Sequence, residues 1–152
     1  MIVPAERPHI EIVRALFTEY AESLGFSLCF QNFDQELAGL PGAYAPPRGR
    51  LLLGFAGGEP AGCVALRPLR DDVCELKRLF VRPAFRATGL GRGLMDRVLV
   101  EARGIGYRRM ALDTVVGKMD RAIALYRKLG FTEIEPYGAH PVPGTIWMER
   151  AI

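Results

Sequence analysis

The stretch Glu75–Leu94, ELKRLFVRPAFRATGLGRGL, decides how the rest of the chain is read. Leu79, Phe80 and Val81 form an apolar, strand-like run that breaks at Pro83; a short loop carrying Gly89 and Gly91 follows, and a helical pattern begins at once. A strand, a glycine loop and a helix in that order leave several backbone N–H groups unpaired at one spot, where the positive end of the helix dipole also points. Such a spot suits a phosphate or diphosphate. Glycine at 89 and 91 lets the backbone approach that anion with no Cβ in the way.

Two well-known phosphate cradles are excluded. A dinucleotide fingerprint, G-x-G-x-x-G, would need a third glycine where Leu94 stands, and G-x-x-x-x-G-K-[ST] does not occur. What remains is Arg86-Ala87-Thr88-Gly89-Leu90-Gly91, an R-x-x-G-x-G directly after a strand. Farther on stands Ala122-Ile123-Ala124-Leu125-Tyr126-Arg127-Lys128-Leu129-Gly130-Phe131. In it Ile123, Tyr126 and Leu129 recur at helical spacing, Gly130 is a stop signal and Phe131 opens a strand. From the residues alone, the first block is an anion cradle or a plain tight turn, and Tyr126 is a working phenol or a core aromatic. The two blocks, in this order and at this separation, resemble the coenzyme A signature and the later A-x-x-L-Y-x-x-x-G-F element of the GNAT superfamily of N-acetyltransferases. The resemblance covers most of the chain from about Leu51 onward and is weaker before it.

The 152 residues are read as one domain, 1–152, long enough to bury a real core. A hydrophobic share of 49% with 24% charged residues fits a globular protein. The formal charge of +3 falls short of the basic cluster that nucleic-acid binding needs, though it suits an anionic cosubstrate. Basic residues crowd the middle of the chain, Arg67, Arg70, Lys77, Arg78, Arg82, Arg86, Arg92 and Arg97 among them. Cys29, Cys63 and Cys74 have no C-x-x-C spacing, and His9 and His140 stand far apart, so neither a disulfide framework nor a metal site is expected. Cys74 reads as buried filler. With no signal-peptide pattern and no apolar run of 18 residues, the expectation is a cytoplasmic protein without a membrane partner.

Hydrophobic periodicity predicts a helix from Pro8 to Leu24 and a second, short one capped by Asn32 or Asp34 and running to Leu40. Strands are expected at Arg50–Ala56, Ala61–Leu69 and Val73–Arg82, with a Gly57-Gly58 hairpin turn between the first two. A helix at Gly91–Ala102, a strand at Tyr107–Val115 and a helix from about Lys118 to Leu129 follow. Strands at Phe131–Tyr137 and Thr145–Glu149 close the chain. The order reads as an α/β layer on a mixed sheet. The resemblance implies the same: a single-domain, mostly antiparallel sheet flanked by helices, with two strands splayed to hold the cosubstrate.

The resemblance also implies the chemistry, acetyl transfer from acetyl-CoA to a primary amine of a small molecule or peptide, without metal. On that reading Leu79, Phe80 and Val81 would hydrogen-bond the pantetheine arm through their backbone, as an added strand does. Arg86, Ala87, Thr88, Gly89, Leu90, Gly91 and Arg92 would hold the diphosphate, and a backbone N–H of the signature strand would polarise the acetyl carbonyl. Tyr126 would protonate, or donate a hydrogen bond to, the departing thiolate. Glu75, eleven residues before Arg86, matches the glutamate base of the histone-acetylating branch; Asp113 or solvent are the other candidates for the base, and an ion-paired strand carboxylate is the other role for Glu75. Met119 stands where many relatives have asparagine. Phe30, Phe33, Tyr44, Tyr137, His140 and Trp147 are candidates to line the acceptor pocket. The alternative to an enzyme is a coenzyme A-binding sensor or docking module on the same fold, and a homodimer is left open.

Overall fold

The computed structural model describes residues 1–28 and 32–152. Its seven strands form one sheet in the order β1-β2-β3-β4-β5-β7-β6. Three of them, β2 (Arg50–Ala56), β3 (Glu59–Arg70) and β4 (Val73–Val81), make an antiparallel meander. Beside β2 lies β1 (Ile2–Pro4), and beyond β4 come β5 (Arg109–Val115), β7 (Thr145–Ala151) and the three-residue β6 (Thr132–Ile134). Only β4 and β5 pair in parallel among these strands, because the chain between them crosses over through α3 (Leu90–Ile105). The expected α/β architecture is the one observed.

Strand alternation sorts the side chains into two cores. Leu52, Val64, Leu66, Cys74 and Leu76 point to one face, where α3 packs with Leu94, Met95, Val98, Leu99 and Ala102. Tyr126 of α4 (Asp120–Lys128) joins the same cluster. Leu51, Leu53, Cys63, Ala65 and Phe80 point the other way, against Val13, Leu16 and Phe17 of α1 (Ile10–Ser23) and Phe33 of α2 (Phe33–Ala38).

The alternation slips once within β4. Cys63 pairs with Phe80 but Ala65 pairs with Lys77, so β4 carries an extra residue there, and Arg78 takes up the turn with φ +60°. Opposite this bulge a Cβ on Gly62 would stand 2.6 Å from the Phe80 carbonyl, so only glycine fits. The bulge throws the Arg78 side chain toward α2. There its Nε and Nη2 donate to the two oxygens of Glu36, both at 2.9 Å, and the guanidinium lies over the Tyr20 and Phe33 rings. At the end of the strand Arg82 forks in the same way onto Glu19 of α1, at 2.9 and 2.6 Å. Two arginine–carboxylate forks thus seat α1 and α2 on β4.

Several boundaries differ from expectation. The first helix begins as a single 3₁₀ turn at Arg7–His9, and α2 ends at Ala38. Asn32 does stand at the N-cap of α2, but with φ +56° and no capping bond from its side chain. The strand expected from Phe131 to Tyr137 is only three residues long. β1 was not expected at all. Cys29 and Phe30 lie outside the described residues. Among the described residues no helix is long and apolar enough to cross a membrane.

Candidate active site

The site follows from how little β4 and β5 pair. They run side by side only at Val73–Arg109, Cys74–Met110 and Glu75–Ala111. Beyond Glu75 they part, while β5 remains paired to β7 as far as Val115. The backbone groups of Leu76–Val81 that face β5 therefore lack a strand partner there. In sheets with parallel neighbours, a crevice past the carboxyl ends of the strands is where ligands enter.

A groove of about 530 Å³ opens at this parting. Leu79, Phe80, Val81, Arg86, Ala87, Gly89, Gly91 and Arg92 are on its wall, eight of the ten residues expected from Leu79 to Arg92 to hold the cosubstrate. The other two turn away. The Thr88 hydroxyl donates to the Phe85 carbonyl, and Leu90 is the side chain nearest Gly54 of β2. Ala87 at φ +64° and Gly89 at φ +86° make the turn into α3. Gly93 N–H is the first of the helix to bond back, to the Gly89 carbonyl at 2.9 Å. The amides of Leu90, Gly91 and Arg92 before it have no helical acceptor. Across the groove, α4 and the turn before it add Lys118, Arg121 and Lys128 to the wall. Together with Arg86 and Arg92 they make five cations against the one carboxylate of Asp120. Unpaired amides and this charge fit a diphosphate or other polyanion. The basic contribution of α4 escaped the sequence reading, although Arg121 and Lys128 lie about two helical turns apart and so share one face.

The groove leads into a cavity of about 50 Å³, with Tyr20, Leu79, Met119 and Ala122 on both walls. Its polar lining is Lys77, Arg78, Asp113, Tyr126 and His140, together with Tyr20. Because the strands have parted, Tyr126 from the α3/α4 side and Lys77 and Asp113 from the other face line the same space. Burial pushes the Tyr126 phenol well above the ordinary tyrosine value, and the nearby Tyr20 and Asp113 push the same way. Lys77 is moved down by burial, against the pull of Asp113 and Glu75.

Glu75 is not on the cavity wall among the described residues. It is 3% exposed, with one oxygen taking Nε and Nη2 of Arg67 at 2.9 and 2.8 Å and the other taking the Tyr137 hydroxyl at 2.6 Å. Burial alone would raise its pKa. Lys77, Tyr137 and Arg67 outweigh burial and hold the carboxyl below the usual glutamate range. Both oxygens of this weak base are thus engaged, whereas Asp113 faces the cavity.

Of the residues expected around an acceptor, only His140 is on the wall among those described. Phe33 and Tyr44 are buried beneath α1, Tyr137 holds Glu75, and Trp147 sits on β7 opposite Asp113 and Ile134. At the position of the relatives' asparagine, the Met119 sulfur takes the Thr114 hydroxyl at 3.3 Å. Cys63 and Cys74 are buried, and burial pushes both thiols up to about 12, which leaves them protonated and unreactive at neutral pH.

Comparisons with known proteins agree with this geometry. The model of the acetyltransferase (GNAT) family matches residues 11–131. An uncharacterised N-acetyltransferase of Schizosaccharomyces pombe is 38% identical over 137 residues, 89% of this chain and 83% of that protein. A GNAT-family acetyltransferase structure from Staphylococcus aureus superposes with a TM-score of 0.83 at 19% identity, covering 99% of this chain and 98% of the other. The PaiA N-acetyltransferase of Thermoplasma acidophilum, solved with coenzyme A, gives 0.77 at 15% identity, covering 100% and 98%. A family model matching 11–131 and a relative 38% identical over 89% of the chain show that the chain belongs to the GNAT family and is an acetyltransferase.

Proposed function

We propose that this acetyltransferase moves the acetyl group of acetyl-CoA to a primary amine. The observation that carries the reading is the continuity of a cationic, amide-lined groove with a small polar cavity through the gap between β4 and β5. The amides of Leu90–Arg92 and the five basic side chains would hold the diphosphate end. The unpaired edge of β4 would hold the pantetheine arm, and the acetyl group would reach the cavity beside Leu79. Bound there, acetyl-CoA supplies an activated thioester; what remains is the work of this chain.

In the transfer, the amine nitrogen bonds to the acetyl carbon, the C–S bond breaks, the nitrogen loses a proton and the sulfur gains one. An ordinary thiol has a pKa of about 8.5 and an ordinary phenol about 10. Burial raises Tyr126 further, so complete proton transfer from it to a thiolate runs uphill. Tyr126 therefore acts by donating a hydrogen bond to the leaving sulfur, whose proton comes finally from solvent. Asp113, on the cavity wall, accepts the hydrogen bond of the incoming amine. Glu75 is best read as an ion-paired anchor for Arg67 and Tyr137, acting on the site through Lys77 and not as the base.

Thermal melting tests the cosubstrate half of this reading. Acetyl-CoA at a hundredfold over its dissociation constant stabilises the native state by about 2.7 kcal/mol. The melting temperature should rise accordingly, and Gly91→Leu, which crowds the space between Val81 and Leu125, should remove the rise. A Gly91→Leu protein that melts like the parent and still responds fully to acetyl-CoA would contradict the assignment.

A further inference from the structure

We infer that Met119 sets an upper limit on the acyl chain this enzyme takes: acetyl and propionyl groups pass into the cavity, and a butyryl group does not. The inference rests on the proposed reading, in which the acyl group reaches the cavity beside Leu79, and it narrows the class of donor that the site accepts.

The first ground is the passage itself. Tyr20, Leu79, Met119 and Ala122 line both the groove and the cavity, so an acyl group that goes from one to the other passes between them. Methionine ordinarily adapts its shape to what it touches. Met119 is held in place instead. Its N–H donates to the Val115 carbonyl at 2.9 Å, and its carbonyl accepts from the Ile123 N–H at 3.0 Å. The end of β5 and the first turn of α4 thus fix its backbone. Its sulfur accepts from the hydroxyl of the buried Thr114 at 3.3 Å, which fixes the thioether. Tyr20 is held as well, with its ring edge-on to Phe80, 6.1 Å between centroids, and the Arg78 guanidinium over it. The neck therefore has firm sides, and its long and its small side chain, Met119 and Ala122, lie within one turn of each other at the start of α4.

The second ground is size. The cavity beyond the neck has a volume of about 50 Å³. At about 10–15 Å³ for each water-sized group, such a space takes roughly four non-hydrogen groups. The carbonyl carbon, oxygen and methyl of an acetyl group, together with the nitrogen of the amine, fill it. A propionyl group alone fills it, and a butyryl group exceeds it. The described walls give little. Leu28 and Leu76 are buried in the two cores, and Phe26 stands edge-on to His140 at 6.2 Å. Forcing surplus methylenes into a packed space of this kind drives side chains off their preferred rotamers.

Calorimetric titration of the full chain with coenzyme A, acetyl-CoA, propionyl-CoA and butyryl-CoA tests the limit without an acceptor. Acetyl-CoA and propionyl-CoA should bind alike. Butyryl-CoA should bind at least about tenfold more weakly, the lower end of what one surplus methylene costs in a fitted pocket. Met119→Ala, which removes the thioether from the neck, should bring butyryl-CoA to within a few-fold of acetyl-CoA. Ala122→Val, which narrows the same passage, should weaken propionyl-CoA relative to acetyl-CoA. Butyryl-CoA that binds the parent as tightly as acetyl-CoA would overturn the inference, and so would a folded Met119→Ala protein that discriminates as the parent does. If Met119→Ala does not fold, the parent ratio and Ala122→Val decide. The underlying reading fails in a different way: none of the four ligands binds the folded protein, and the inference falls with it.

Discussion

A phenol enclosed by apolar side chains keeps its proton, and its value to a reaction lies in the hydrogen bond it can donate. Tyr126 is such a phenol, and Tyr126→Phe removes that bond while leaving the ring against Phe131, 5.7 Å away between centroids. Turnover at saturating substrates should fall by ~10²-fold, the scale of losing one donor to developing charge. Steady-state kinetics should also show little change in KM for acetyl-CoA. Glu75 calls for a different experiment. Its folded pKa is depressed, so it contributes stability above the ordinary glutamate value of about 4.3, and that stability is lost as pH falls through the lower folded value. Glu75→Gln should melt below the parent near neutral pH, with the gap closing below about pH 4 as the parent's carboxyl is protonated. Its pH–rate curve should keep the parent's shape. A curve that loses its neutral limb and recovers at high pH would restore Glu75 as the base.

At the scale of elements, β4 positions nearly everything. Its bulge frees Arg78 to hold α2, its end carries Arg82 to hold α1, and its separation from β5 makes room for a ligand. Helix α2 has only six residues, too few to be stable by itself, so its seat depends on the Arg78–Glu36 fork. Glu36→Ala leaves a guanidinium that is 2% exposed without its carboxylate. Breaking a buried pair in this way costs about 3–5 kcal/mol, which denaturant unfolding will register. The forks were not legible in the sequence, because Arg78 with Glu36 and Arg82 with Glu19 are each joined across a long loop of chain. The glycine loop and α4 were legible, since their signals lie within a few consecutive residues. β1 escaped because three residues carry too little periodicity, and β6 came out short because Pro136 and exposed Glu135 end it early.

For the whole molecule, one parallel pair at the centre of an otherwise antiparallel sheet is the organising fact. It allows β4 and β5 to part without unravelling either half, because each is held on its other side by β3 or β7. The two cores then line the gap from opposite faces, and the sequence showed the residues of each face without showing that they meet. Tyr126 and the Arg86–Arg92 loop were assigned to the site by the family resemblance that their local motifs carry, and both line the groove or the cavity. Asp113 was legible as a rival base, but Lys77 on the cavity wall and the retreat of Glu75 from it depend on side-chain pairing across strands, which a single chain of letters does not display.

The central claim is that this gap brings a thioester and an amine together so that the acyl group passes between them. Coenzyme A thiol and N-acetylated amine, measured by mass spectrometry in one reaction over time, test it most directly. The account predicts that both appear together in a one-to-one ratio when an amine is present. Thiol released without N-acetylated product would make the protein a thioesterase, and the absence of both from a folded protein that binds acetyl-CoA would contradict the transfer itself.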